Sequence, residues 1–172
     1  VLRNLTAGTR LRYNVSGHNN VAIGVDALED NLASNNTAIG HQALMNNTTG
    51  SSNVAVGKGA LDACATSPSN VCIGTGAGGA ITTGNGENVC VGNNAAANMT
   101  TGQQNILIGD NCAAGAAVTG NLNTIIGDNA GYDLTTGAAN VALGAAALAN
   151  TSTGGNNVAI GYETLNAQSG NS

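Results

Sequence analysis

The chain has no tryptophan, no phenylalanine and only three tyrosines, and charged residues make up 8% of the sequence. Domains of this length normally bury aromatic side chains, so a core without them must be thin and built from Val, Ile, Leu and Ala. The apolar fraction of 42% is too high for a disordered polar segment. The composition therefore predicts a folded chain that differs from an ordinary compact domain.

Positive charge is also scarce. Arg3, Arg10, Arg12 and Lys58 are the four cations, and the net charge is −5. Nucleic-acid binding needs basic residues that neutralise phosphates and usually aromatic side chains that stack on bases, so nucleic acid is not expected as a partner. No run approaches 18 consecutive apolar residues, and membrane insertion by this chain is likewise not expected.

What the chain has in abundance is one pentapeptide, Asn-[Val/Thr/Ile]-x-[Ile/Val/Leu]-Gly, which recurs at a nearly constant interval. Such a period, with slips of a single position, indicates one coil per repeat. The pattern begins at Asn20, Asn36, Asn53, Asn70, Asn88, Asn105, Asn123, Asn140 and Asn157. It ends at Gly24, Gly40, Gly57, Gly74, Gly92, Gly109, Gly127, Gly144 and Gly161.

The repeat predicts strands, because so much Gly and Asn would destabilise a helix and the short β-branched runs are bounded by turn residues. The predicted fold is all-β: a parallel β-solenoid with about 17 residues per coil, each coil holding two or three short strands stacked in register about 4.8 Å apart. Residues 20–172 are predicted to form nine clear coils. A degenerate copy of the pentapeptide begins at Asn4, so residues 1–19 are predicted to form an N-terminal coil or cap.

The repeated Asn and Gly residues are predicted to be structural. Stacked Asn side chains can form a ladder of amides along the axis, as identical segments do in cross-β structures. Glycine at the end of a strand can take a positive φ and make a tight corner. If the fold is a solenoid, Gly24, Gly57 and Gly92 must lie on one common edge.

The predicted strand is apolar on both faces, so both faces should be covered. The coil interior covers one face, and a second subunit or another layer must cover the other. The residue two positions after the repeat Asn is often small, as at Ala22, Ala38 and Ala142. We expect this column to let a neighbouring chain approach closely, around a three-fold axis or by lateral packing.

Asn-Val-Ala-Ile-Gly at residues 20–24 and 157–161 resembles the head repeat of trimeric autotransporter adhesins. The longer pattern, with Ala-Leu after the Gly and then Thr-Thr-Gly, is similar to repeats in phage and bacterial tail-fibre-like proteins. The adhesin resemblance implies a left-handed β-roll that trimerises and binds host or matrix surfaces. It covers nearly the whole chain, although the adhesin coil is shorter than the repeat in this sequence.

A second resemblance is to the hexapeptide acyltransferases, since Ile23-Gly24-Val25-Asp26-Ala27 and its counterparts fit an [LIV]-Gly-x-x-[STAV] unit. Those enzymes carry the unit about three times per coil, whereas here it occurs once. The histidines, His18 and His41, lie in no insertion that could form a groove, and His41 occupies a variable position expected to face solvent. An enzyme is not expected, and no cofactor is implied.

Two features could carry other chemistry. Asp110 and Asp128 follow Gly in consecutive coils, and their carboxylates could hold Ca²⁺ or be two solvated charges; without a third carboxylate column they are weak candidates for a metal site. Cys72 and Cys90 share one position in neighbouring coils, where a disulfide is feasible, and cysteine as a small apolar residue is the equal alternative.

The sequence therefore predicts a non-enzymatic structural protein that acts as a self-associating building block of an extracellular fibre, filament or adhesin. Its expected partner is itself, as a homotrimer or a head-to-tail filament, with a host or matrix surface as a further partner. The expected location is extracellular, at a cell or virion surface. The alternatives are a solenoid module that binds a glycan or ice and, less favoured, a hexapeptide-type acyltransferase.

Overall fold

The computed structural model describes the backbone of residues 4–7 and the whole of residues 17–166. These residues form a parallel β-solenoid, which confirms the predicted fold class, and the described residues form no helix. The strands are β1 (Asn4–Ala7), β2 (Asn20–Ile23), β3 (Thr37–Ile39), β4 (Val54–Val56), β5 (Val71–Ile73), β6 (Val89–Val91), β7 (Ile106–Ile108), β8 (Thr124–Ile126), β9 (Val141–Leu143) and β10 (Val158–Ile160).

All ten strands belong to one sheet, and their order in the sheet is their order in the chain. Each strand pairs in parallel with the next, and equivalent repeat positions lie opposite each other, as in Ala22 with Ala38. The degenerate N-terminal copy follows the same register, with Asn4 opposite Asn20. One repeat therefore makes one coil, and distance along the chain becomes height along the solenoid axis.

Each described coil contains one strand, so the prediction of two or three strands per coil is wrong. After the strand every second residue has a positive φ: in the first complete coil Asp26 has φ 57° and Leu28 has φ 54°. These residues lie outside the β region, so the segment does not continue as a strand. It still pairs with the next coil, since Leu28 N–H donates to Ala43 O at 3.0 Å and Gln42 N–H donates to Val25 O at 2.9 Å.

The core is filled by two residues that compensate each other in size within one coil. They are the middle residue of the strand and the residue six positions later, and both are buried. Coils with Ala at the first position carry Leu at the second, in the pairs Ala22 and Leu28, Ala38 and Leu44, Ala55 and Leu61, and Ala142 and Leu148. Coils with a larger first residue carry Gly or Ala at the second, in the pairs Cys72 and Gly78, Cys90 and Ala96, Leu107 and Ala113, and Ile125 and Gly131.

Direct contacts explain this compensation. A Cβ atom added at Gly131 would lie 2.8 Å from Ile125 Cδ1, and one added at Gly78 would lie 2.7 Å from Cys72 Sγ. Both distances are shorter than real Cβ contacts, so the two side chains share one volume. Each coil thus fills this part of its cross-section with one large and one small residue.

Candidate interaction surface

The candidate interaction surface is the outward side of the sheet, which we call the sheet face. It is formed by the two residues that flank the inward-pointing middle residue of each strand from β2 to β10. Two are threonine, sixteen are Val, Ile or Leu, and none is charged. They are Val21, Ile23, Thr37, Ile39, Val54, Val56, Val71, Ile73, Val89, Val91, Ile106, Ile108, Thr124, Ile126, Val141, Leu143, Val158 and Ile160.

These side chains are half-buried or exposed; Ile73 and Ile106, in the middle of the sheet, are each 40% exposed. Nine strands at about 4.8 Å make a strip roughly 40 Å long. With a width of about 10 Å for two side chains, the strip covers roughly 400 Å², in the size range in which apolar patches on soluble proteins are often functional. The sheet face is therefore the best candidate for contact with another molecule.

The column of small residues does not belong to this surface. Ala22, Ala38 and Ala142 point into the coil and are at most 1% exposed. The prediction that a neighbouring chain approaches along this column is therefore wrong. The interior needs small residues there because the leucine six positions later, such as Leu28, occupies the same space. A neighbour would instead meet larger, mostly β-branched side chains.

The repeat Asn residues form a continuous buried ladder. The backbone N–H of each one, from Asn36 to Asn157, donates to the side-chain Oδ1 of the Asn one coil earlier, at 2.8 to 3.2 Å. The ladder therefore contains hydrogen bonds from backbone N–H groups to side chains as well as the predicted hydrogen bonds between side-chain amides. From Asn20 to Asn140 the side chains are at most 3% exposed, which leaves these amides out of reach of a ligand.

Asn105 shows how one side chain serves three coils. Its Nδ2 donates to Asn88 Oδ1 at 3.2 Å in the preceding coil and to Gly120 O at 3.0 Å at the end of its own coil. Its Oδ1 accepts from the backbone N–H of Asn123 at 2.9 Å and from Asn123 Nδ2 at 3.0 Å. One amide thus closes its own coil and joins that coil to both neighbours.

Asn70 departs from this arrangement, in a coil that carries an extra residue near Gly84. Its Nδ2 donates to Ser67 Oγ at 3.0 Å and to Asn53 Oδ1 at 3.2 Å, both in the preceding coil. The extra residue is accommodated at this corner. The ladder continues to the next coil, because Asn88 Nδ2 donates to Asn70 Oδ1 at 3.0 Å.

The repeat glycines stack on one edge of the solenoid. All nine have φ between 122° and 149°, a backbone region that favours glycine. A Cβ atom added at Gly57 would lie 2.4 Å from Gly74 O, and one added at Gly92 would lie 2.2 Å from Gly109 O. The glycine column therefore lets successive coils approach at a corner that no other residue could occupy without displacement.

A second buried column of polar residues was missed by the sequence analysis. Asn31 and Asn47 occupy equivalent positions in consecutive coils and are fully buried. Asn47 Nδ2 donates to Asn31 Oδ1 at 2.6 Å and to Gly50 O at 2.9 Å. The next residue in the column is Cys64, and Asn47 Oδ1 is left as a buried acceptor without a partner. Since only two coils carry Asn here, the repeat gives little signal for this column.

Asp110 and Asp128 lie on the surface of the described part of the chain, each at the exposed corner of its coil. Asp110 is exposed, and its two oxygens accept from Asn93 Nδ2 at 2.9 Å and from Asn111 Nδ2 at 3.0 Å. Asp128 is exposed at the equivalent position of the next coil. Within the described part of the chain, no three His, Cys, Asp or Glu side chains come together in a way that could hold a metal ion. Asp110 is instead part of a polar surface ladder.

The four cysteines are buried, and no disulfide joins them in this structure. Cys72 lies opposite Cys90 on neighbouring strands, as their shared repeat position requires. Hydrogen bonding to the Cys90 side chain and burial raise the pKa of Cys72 well above its ordinary value. Burial also raises the pKa of Cys64 to about 11 and that of Cys112 to about 12. Folded, these three thiols are poor nucleophiles because the thiolate is the reactive form.

Of the histidines, His41 is exposed, as its variable position predicted, and His18 is exposed as well. The buried polar side chains of the described core are Asn, Ser and Thr, and their hydrogen bonds hold the coils together. The geometry thus defines a parallel β-solenoid whose most distinctive surface is an uncharged apolar strip.

Comparison with known proteins gives no match: no family model, no curated protein and no solved structure matches the chain. Among the residues that the structure describes, no helix has the length and apolarity that crossing a membrane requires.

Proposed function

We propose that this protein is a non-enzymatic structural protein, a self-associating building block of an extracellular fibre, filament or adhesin. The observation that carries the proposal is the sheet face, where sixteen apolar side chains and two threonines form one strip without a charge. Burying this strip against a like surface removes apolar area from water and leaves no charge unpaired.

The size of the sheet face favours more than two copies. A stable pair of proteins usually buries about 800 Å² per partner, roughly twice the area of the strip. In a homotrimer each copy contacts two others, so the residues beside the strip are buried as well. This argument supports a homotrimer over a simple pair.

The internal use of the polar side chains supports a structural role. The repeat Asn side chains form hydrogen bonds that hold the coils together, as those of Asn105 with Asn88, Gly120 and Asn123 illustrate. The resemblance of Asn-Val-Ala-Ile-Gly to adhesin head repeats supports an extracellular location and a host or matrix surface as a further partner. A head-to-tail filament is the second form of self-association, since parallel coils of equal register can continue from one copy to the next.

Sedimentation velocity and negative-stain electron microscopy of the purified chain test the proposal. The wild type should form homotrimers or filaments at micromolar concentration. Ile73→Asp places a carboxylate in the middle of the sheet face and should weaken lateral association at least tenfold, because a buried charge without a partner is costly. Thr75→Asp, two residues away on the exposed turn, is the matched control and should associate like the wild type.

Circular dichroism must show that both variants keep the solenoid fold. A monomeric wild type would refute self-association. Trimers that persist in Ile73→Asp would show that another surface mediates assembly. Filaments that persist in the same variant would indicate end-to-end stacking, which does not use the sheet face.

A further inference from the structure

Cys72 and Cys90 are the one pair of cysteines placed opposite each other in the sheet. Both are fully buried and point into the coil, between Ala55 in the coil before and Leu107 in the coil after. In parallel strands of equal register, opposite Cα atoms lie about 4.8 Å apart, inside the range that a disulfide accepts.

The other two cysteines are engaged elsewhere. The Cys64 thiol donates to Ser67 O at 3.3 Å, and the Cys112 thiol donates to Ile125 O at 3.4 Å. The sheet register instead places Cys72 directly opposite Cys90, and the neighbouring Cys90 side chain raises the pKa of Cys72. The arrangement therefore selects one of the possible pairings.

From these positions we propose that Cys72 and Cys90 form a reversible disulfide that links β5 to β6 and makes the middle of the solenoid sensitive to redox conditions. Side chains at equivalent positions of parallel, in-register strands point the same way, so their Cβ atoms are also about 4.8 Å apart. This separation is slightly beyond the usual range for a disulfide, about 3.5 to 4.5 Å between Cβ atoms. A bond across this gap is strained, and strained disulfides are the more easily reduced ones.

The reaction is a thiol–disulfide exchange with a low-molecular-weight disulfide such as oxidised glutathione. One cysteine thiolate attacks the glutathione disulfide and releases one glutathione thiol; the second cysteine thiolate then attacks the mixed disulfide and releases the other. The two cysteines lose two protons and two electrons, and one glutathione disulfide becomes two glutathione thiols.

Burial decides when this exchange takes place. The folded thiols are closed to solvent, so an external disulfide reaches them only while the two coils are open, during folding or local unfolding. The redox conditions at the time of folding are thereby stored in the folded chain. The bond closes a loop of one coil and should raise the melting temperature of the chain by about 5 °C or more.

The test is to unfold the full chain in urea and refold it with either oxidised or reduced glutathione. A protease that cuts after glutamate separates the four cysteines into fragments 30–87 and 88–163. In the variant C64A/C112A, only a bond between Cys72 and Cys90 can hold these fragments together on a denaturing gel, where the hydrogen bonds between coils are lost. After oxidative refolding the fragments should stay linked until a reductant is added, and melting should occur at the higher temperature.

Cys72→Ala in the same background is the control. Cys72→Ala removes a single sulfur atom and leaves only a small space beside Gly78, so the variant is expected to fold. It should lose both the linkage and the thermal shift. The proposal is overturned if the fragments of oxidised C64A/C112A separate without reductant, or if the oxidised and reduced forms melt at the same temperature.

Discussion

Replacing Ala55 by isoleucine and Leu61 by glycine together would give one coil the core pair that Ile125 and Gly131 form four coils later. Leu61 is fully buried with φ 52°. Removing its side chain should cost about 4 kcal/mol for the cavity and return about 1 kcal/mol from the left-handed backbone. Ala55→Ile alone should cost about 2 kcal/mol, because the added atoms meet Leu61.

The double variant should recover most of both losses, since the new isoleucine fills the space that the leucine leaves. We expect its stability within about 1 kcal/mol of the wild type, which corresponds to a coupling energy of about 4 kcal/mol between the two positions. Urea-induced unfolding followed by circular dichroism gives the free energy of unfolding of the wild type, the two single variants and the double variant. If the two single losses simply add in the double variant, the pairs do not share one volume and the account of the core is wrong.

Two further comparisons, each between two variants, probe the stacked columns. Gly57→Ala should lower the free energy of unfolding by about 2 kcal/mol more than Gly161→Ala: both glycines have positive φ, but only the first would press a Cβ atom, at 2.4 Å, onto the carbonyl of Gly74. Equal losses in urea unfolding would argue against the close approach. Asn105→Ala should cost about 3 kcal/mol by leaving buried partners unpaired. Asn47→Leu should be neutral or stabilising, because it removes an unpaired buried acceptor while Asn31 Oδ1 and Gly50 O keep Asn36 Nδ2 as a donor. Equal losses of the two variants in thermal unfolding would contradict this.

The sequence was sufficient to predict the coil, its register and its glycine edge. A pentapeptide of fixed spacing specifies stacking, and glycine at the end of each β-branched run specifies a corner with positive φ. The path after the glycine could not be predicted in the same way. Leu28 and Leu61 adopt left-handed conformations that leucine disfavours by itself, and burial of their side chains is what holds them there.

The second feature that the sequence analysis failed to predict is which side of the strand faces the interior. Because Val21, Ala22 and Ile23 are all apolar, alternation along the strand does not say which residue points inward. The sequence does contain a signal that would have decided it. Alanine in the middle of the strand occurs with leucine six positions later, and isoleucine occurs with glycine, as in Ile125 with Gly131. Two positions that exchange volume in this way face each other.

Since each coil fills its own cross-section, a coil can be added or removed without repacking its neighbours. A tandem duplication of about 17 residues would lengthen the molecule by about 4.8 Å and extend the sheet face by two side chains. The gene can thus change the length of the molecule in equal steps, and the apolar area of the sheet face grows in proportion.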